Sequence, residues 1–159
     1  MKKVRVRECT SFDKDMWVEL NKEFIEYEAN ASEVWEYINR ASERDIGETF
    51  GEAMKNKEQI LLLMIECDGF PVGFMNVLKG FSVWSRGKML TIDDMYIKDE
   101  YRDQGIGSIA MEYIENYAKE NAYKRVQAMG NKTNKKSNVF YVAKGYHATD
   151  MNLFVKFLA

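Results

Sequence analysis

Histidine occurs once in this sequence, at His147, and cysteine twice, at Cys9 and Cys67, far apart in the chain. These scarcities remove several chemistries. No Cys–His pair is evident, so a covalent acyl-enzyme on a thiol is not expected, and His147 reads as structural. Two distant cysteines lack metal-ligand spacing, so no metal is expected, and the thiols read as reduced, as in a cytoplasmic protein. No apolar run approaches the ~18 residues that cross a bilayer. Met1-Lys2-Lys3 is not followed by an apolar signal core, so cytoplasmic localisation and no membrane partner are expected. Strong charge of either sign is missing too. A formal net charge of −2 argues against nucleic acid as the main partner and leaves room for a cationic substrate held by local carboxylates.

What is present is enough for a core. The chain has 159 residues, 46% of them apolar and 13% aromatic, which predicts a single domain over residues 1–159. Its organising stretch is residues 89–117, MLTIDDMYIKDEYRDQGIGSIAMEYIENY. Residues 89–97 form an apolar, β-favouring run interrupted by Asp93 and Asp94. After a short polar link, Arg102-Asp103-Gln104-Gly105-Ile106-Gly107 opens a segment whose apolar residues Ile106, Ile109, Ala110, Tyr113, Ile114 and Tyr117 fall at helical spacing. Strand, glycine turn and helix thus follow one another. A helix N-terminus carries unpaired N–H groups and partial positive charge, and glycines let phosphates approach them. The turn lacks the Lys-Ser/Thr of a Walker loop and the third glycine of the dinucleotide fingerprint. R-x-x-G-x-G remains. The residues alone leave open a plain glycine turn at the head of an amphipathic helix.

Elsewhere, Val4 and Val6 alternate with Arg5 and Arg7 as a half-buried strand. Ser11 or Asp13 is a candidate cap for a helix carrying Met16, Leu20, Phe24 and Tyr27 at helical spacing. Residues 32–40 predict a second short helix around Val34, Trp35 and Ile38, and residues 48–57 a third. Residues 59–67 and 72–78 read as a hairpin about Asp68-Gly69. Trp84, in the stretch before the organising strand, is either ordinary packing or a wall of a substrate pocket. Residues 123–129 predict a strand, residues 138–144 a short helix stopped by Gly145, and residues 146–158 a closing strand. The order predicts an α/β fold with a mixed sheet.

Three local motifs carry a resemblance across nearly the whole chain. IDDMYIKDEYRDQGIG is similar to the acidic-apolar strand and pyrophosphate loop of the GNAT superfamily of N-acetyltransferases. Asn134-x-x-Ser137-x-x-Phe140-Tyr141, followed by Gly145-Tyr146, is similar to its fourth-helix motif, and residues 151–158 resemble its last strand. The resemblance implies a mixed, mostly antiparallel sheet of six or seven strands, splayed at its middle and flanked by helices, with acetyl-CoA as co-substrate. It implies that backbone N–H groups of Arg102, Asp103, Gln104, Gly105, Ile106, Gly107 and Ser108 bind the pyrophosphate. Asp103 stands where the family commonly has glycine or a basic residue, and its carboxylate is expected to point to solvent. Arg102 either neutralises phosphate or holds the loop. Met95, Tyr96 and Ile97 are expected to offer strand-edge backbone groups to the pantetheine arm, with a backbone N–H near Met95 as oxyanion donor. Asn134, with Ser137, either contacts the cofactor arm or caps the helix. Tyr141 is the expected acid to the leaving sulfur, unless it is a buried aromatic. Asp93 and Asp94, adjacent on a strand, should face opposite sides; one lines the acceptor site and can relay the ammonium's proton, and the residues do not say which.

A narrower likeness is to the diamine/polyamine acetyltransferase branch. It rests on Tyr27-Glu28, on Gly51-Glu52 and on the run from Trp84 to Asp94. It implies a cationic acceptor gripped by Glu28, Asp93 and Asp94, with Tyr27 and Trp84 beside them. The favoured expectation is N-acetylation of a small primary amine such as a polyamine, diamine or lysine-like molecule. The alternatives are acetylation of a protein amine or an aminoglycoside, and a non-catalytic CoA-binding sensor. A homodimer is implied only because such dimers are common in the family.

Overall fold

The computed structural model describes residues 1–29 and 42–158. The helix predicted over residues 32–40, with Trp35 and Tyr37, lies outside the described residues. The elements run β1 (Val4–Glu8), α1 (Lys14–Ala29), α2 (Glu43–Lys55), β2 (Ile60–Cys67), β3 (Phe70–Ser82), β4 (Gly87–Ile97), α3 (Ile106–Glu120), β5 (Arg125–Ala128) and α4 (Lys135–Ala143).

Helix starts follow the side chains that cap them. A 3₁₀ turn, Ser11–Asp13, leads into α1, and the Asp13 carboxylate accepts from the Thr10 N–H at 2.7 Å and pairs with Arg7 at 2.8 Å. Ser42 and Asp45 cap each other's ends of the first turn of α2, so this helix begins earlier than apolar spacing alone suggests. Asn134 accepts from the Ser137 N–H at 3.1 Å, so α4 likewise starts at Lys135 rather than at 138.

The five strands form one sheet in the order β1-β2-β3-β4-β5, antiparallel except for the parallel β4–β5 pair. The class is as expected; the strand count of six or seven is not. Residues 146–158 join no strand ladder among the described residues. The reason is local: their apolar alternation suits a strand, but no edge of this chain is paired with them. β2 explains why its run is continuously apolar. Leu61, Leu63 and Ile65 face a core shared with α3, while Leu62 and Met64 face one shared with α1 and α2. Cys9 and Cys67 are buried free thiols, and burial pushes Cys9 up to about 12.

Two irregularities position the site. β5 pairs with β4 only from Met89 to Ile92, and β4 then runs on to Ile97 without a paired strand on that side among the described residues. This is the splay that the resemblance implies. In the β3–β4 ladder, Asn76 lies opposite Asp94 and Val77 opposite Ile92, so Asp93 is the extra residue of a bulge.

Candidate active site

The bulge decides where the two aspartates go. Without it, Asp94 would share a face with Ile92, which packs toward α3. One extra residue reverses the alternation, and Tyr96, two residues on, packs on the opposite core with Phe74 and Trp17. Asp94 turns the same way. Its Oδ2 accepts from Asn76 Nδ2 at 3.0 Å, and Asn76 Oδ1 accepts from Trp17 Nε1 at 3.2 Å. Asn21, on α1, donates to the Trp17 carbonyl at 2.7 Å. Asp94 is thus held by a buried amide network under α1. Burial first, then the Asp93 and Glu28 charges, push its carboxyl up to about 6, against a lowering from the Asn76 hydrogen bond. Asp93, at the bulge, is exposed, and partial desolvation raises it as well.

Glu28 reaches this point from the last turn of α1, which holds no basic residue. Carboxylates at a helix C-terminus oppose the helix dipole, so Glu26 and Glu28 there favour a cation nearby. The structure therefore brings Glu28, Asp93 and Asp94 within electrostatic reach of one another, while the half-exposed Tyr27 ring lies against the Arg102 guanidinium at 4.7 Å and the Tyr96 ring at 6.4 Å. Trp84 is not brought to them. It sits 94% exposed at the tip of the β3–β4 hairpin, roughly 20 Å along the strand from Asp93 at ~3.3 Å per residue. Asn76, Trp17 and Asn21 are the residues missed by sequence reasoning. A signal existed for one of them: Asn76 interrupts an apolar strand, where an amide must find partners.

The cofactor side is built differently. Gly105, the N-cap of α3, has φ +79, with open space where a Cβ would stand. Only glycine adopts that backbone freely. Gly107 stands where a Cβ would make ordinary contact with the Phe140 ring at 3.4 Å and Ile97 at 3.6 Å, so packing within the chain does not by itself require glycine there. No side chain caps α3 and no acidic residue lies in its first turn, whereas α2 and α4 are capped by their own Ser42 and Asn134. The first-turn N–H groups of Ile106, Gly107 and Ser108 are left for an anion. Arg102 is engaged elsewhere. It donates to the Ile97 carbonyl at 2.8 Å and to Asp99 at 3.1 Å, and lies over the Tyr27 and Tyr96 rings at 4.7 and 5.4 Å. It holds the loop. Asp103 has φ +58, which accounts for glycine at the corresponding family position, and its carboxylate pairs with Lys136 at 2.9 Å. Gln104 donates to the Glu100 carbonyl at 2.9 Å.

Both sides open on one cleft of about 2600 Å³, whose lining includes Asp94, Met95, Ile97, Gly105, Asn134 and Tyr141. Tyr96 turns its side chain away: its hydroxyl donates to Glu23 at 3.2 Å. Asn134 caps α4 through its side chain. Tyr141 packs edge-on against Phe140 and Tyr146, and its hydroxyl has no hydrogen bond among the described residues. Burial raises its pKa, so the phenol keeps its proton at neutral pH and is a donor. These residues fit acetyl-CoA: an uncapped helix N-terminus for phosphates, an unpaired strand edge for an amide-bearing arm, and a protonated phenol in the same cleft. Among the described residues no helix is long and apolar enough to cross a membrane, and no cluster of metal-ligating side chains occurs.

Comparison with known proteins agrees with this geometry. The uncharacterized N-acetyltransferase YhfO of Bacillus subtilis strain 168 is 24% identical over 111 residues, 70% of this chain and 74% of that one. A possible acetyltransferase from Clostridium difficile 630 superposes with a TM-score of 0.81 at 16% identity, covering 98% of both chains. The aminoglycoside N-acetyltransferase AAC(6')-Iy, solved in complex with CoA, does so at 0.78 and 11% identity, covering 100% of this chain and 97% of that one. The acetyltransferase (GNAT) family matches residues 15–146, and the chain, an acetyl-CoA-dependent N-acetyltransferase, belongs to it.

Proposed function

We propose that residues 1–159 act as one domain that transfers the acetyl group of acetyl-CoA to a primary amine of a small cationic molecule, a diamine, polyamine or lysine-like compound, by direct attack. The carrying observation is the meeting of Glu28, Asp93 and Asp94 at one end of the cleft, with Asp94 pushed up to about 6. A chain with a second ammonium is held by Glu28 and Asp93 while its reacting amine faces Asp94. That amine arrives protonated, with a pKa near 10. Asp94 accepts its proton through water; a carboxylate near pKa 6 is a better base at neutral pH than an ordinary one. Acetyl-CoA supplies the activated acyl group. A backbone N–H at Met95 donates to the charge that develops on the thioester oxygen. As the C–N bond forms and the C–S bond breaks, the Tyr141 hydroxyl donates its proton to the departing sulfur, and the second proton shed by the acylated nitrogen restores the phenol through water, while Asp94 releases the first to solvent. Phosphates rest on the N–H groups from Asp103 to Ser108; the Arg102 N–H is already given to the Asp99 carbonyl at 3.1 Å.

Aminoglycosides are the second reading. Their amines are also cationic, and aminoglycoside acetyltransferases share this fold, as does a ribosomal-protein-alanine N-acetyltransferase, so the fold does not choose between aminoglycosides and protein amines. Thiol release from acetyl-CoA with a panel of diamines, polyamines, aminoglycosides and neutral amines tests both. Glu28→Gln should raise KM for diamines about fivefold, as expected of a half-buried charge pair worth ~1 kcal/mol, and leave neutral amines unchanged. Equal effects on both would defeat the cationic-acceptor reading. CoA binding with no thiol release for any amine would point to a sensor.

A further inference from the structure

We infer that the amine acceptor is dipolar, and that Arg125 binds an anionic group, a carboxylate or phosphate, which the acceptor carries about 15 Å from its reacting amine. This rests on the reading that the amine reacts at Asp94, and it narrows that reading to amines with an acid at the far end. The sheet face that holds Asp94 continues past it. Val126 and Ala128, level with Leu90 and Ile92, pack on the core shared with α3. Strand alternation therefore turns Arg125 and Gln127 to the opposite face, beside Met89 and Thr91. Asp94 is on that face, and so is Leu78, which lies opposite Thr91. Neither α1 nor α2 covers this part: the core they share includes no residue of β5, and Leu78 is 39% exposed. The result is an open shelf within the cleft, from Asp94 to Arg125. Arg125 is level with Met89, five residues before Asp94, so at ~3.3 Å per residue the shelf is about 15 Å long.

Arg125 is the anomaly on this shelf. It is half-buried, and it forms no ion pair among the described residues. Its Nε is buried without an acceptor, and its Nη2 meets only the Met89 sulfur, at 3.2 Å. A thioether is a weak acceptor. Nε and Nη2 form one edge of the guanidinium, the edge that takes a carboxylate or phosphate side-on through two parallel hydrogen bonds. The flexible Met89 side chain gives way to such a group. Without it, a buried N–H stays unpaired at a cost in stability. Between the two ends, Gln127 Nε2 donates to Thr91 Oγ1 at 3.0 Å, which leaves the Gln127 side-chain carbonyl and the Thr91 hydroxyl proton for a ligand. Charge runs the same way. Glu28, Asp93 and Asp94 make one end negative, and Lys124 joins Arg125 in lining the other. A plain polyamine laid along the shelf brings an ammonium to Arg125 and is repelled there, whereas a dipolar chain matches both ends.

Thiol release from acetyl-CoA with three amines tests this: the linear dimer of ω-aminohexanoate, which spans about 15 Å when extended, its neutral carboxamide, and ω-aminohexanoate itself, about half as long. Calorimetric titration of the dimer and its amide onto the CoA-bound protein reads the same preference without turnover. The acid should show KM and Kd about tenfold below those of its amide, with kcat alike, and the short acid, which does not reach Arg125, a KM no lower than the amide's. That comparison requires no variant to fold. Arg125→Met removes the charge and should erase the preference with circular dichroism retained; Arg125→Lys should keep part of it. Equal values for acid and amide overturn the inference, and so does a preference that survives Arg125→Met. If the amide and plain diamines are turned over as well as the acid, the amine reading stands and this inference falls. If no amine releases thiol while the acid still binds about tenfold tighter than the amide through Arg125, the anion site stands and the reading of Asp94 as the place of reaction fails.

Discussion

The two walls of the cleft are made of different material. On the acceptor wall the groups that face the site are side chains: Glu28, Asp93 and Asp94, the last fixed by Asn76 and Trp17. On the cofactor wall the side chains are engaged with one another, Arg102 with Ile97 and Asp99, Asp103 with Lys136, and what faces the cleft is backbone at the bare start of α3. Backbone donors suit a ligand common to a whole family, since any sequence that keeps the turn keeps them. Side-chain carboxylates suit an acceptor that differs between relatives. Substitutions should therefore hurt in different ways: through charge and proton transfer on one wall, through loop conformation on the other.

Tyr141 lines the same cleft and should give the largest effect. Tyr141→Phe removes the hydroxyl and keeps the ring that packs on Phe140 and Tyr146. Loss of a general acid lowers kcat by about 10²-fold or more, with CoA affinity nearly unchanged. Steady-state kinetics alongside calorimetric CoA titration separates the two. A variant that retains full kcat would make the phenol a packing residue.

Asp94→Asn should come next, and it carries an opposite sign in stability. A carboxyl whose folded pKa is raised from 3.8 to about 6 binds its proton more tightly folded than unfolded. The chain is then most stable below pH ~4, loses stability as pH rises through 4 to 6, and carries the full penalty above that. Two units correspond to about 2–3 kcal/mol. Asparagine carries none of it, so the variant should melt about 5 °C higher at pH 8 and no higher at pH 4. Its kcat/KM should fall about tenfold or more, and the rise of the wild-type profile through pH ~6 should vanish. A variant less stable at pH 8 would mean that the Asn76 network needs the charge.

How much of this was legible in the sequence also divides along the two walls. The cofactor wall was readable because a glycine turn at the head of a helix is a local pattern, and Gly105 and Gly107 stand in it. The acceptor wall was readable in composition, Glu28 and the Asp93-Asp94 pair, but not in geometry. Which aspartate turns toward α1 depends on a bulge opposite Asn76 and Val77, a property of the β3–β4 pairing rather than of either strand. Trp84 was placed near the acceptor by the likeness of the Trp84–Asp94 run to the diamine/polyamine branch; the structure sets it, exposed, at the tip of the β3–β4 hairpin. The closing strand was misplaced for a related reason. Residues 151–158 have strand character, but pairing requires an edge, and sequence does not say whose.

Asp103→Gly should give the smallest effect, and it probes the backbone wall directly. Asp103 stands at φ +58 and offers a carboxylate next to the bare start of α3 proposed for the phosphates, partly offset by Lys136. Glycine removes both the strained side chain and the charge, and frees Lys136 for the ligand. Between exposed groups such a charge changes affinity only about two- to fivefold, and less at high salt. Asp103→Asn separates the causes, because asparagine tolerates the left-handed region as aspartate does and removes the charge alone. If both variants tighten CoA equally, and the gain disappears in high salt, repulsion is the cause. If only glycine tightens it, the loop's conformation limits binding. If neither does, Lys136 already cancels the carboxylate, and the pair is a closed unit on a wall whose binding groups are all main chain.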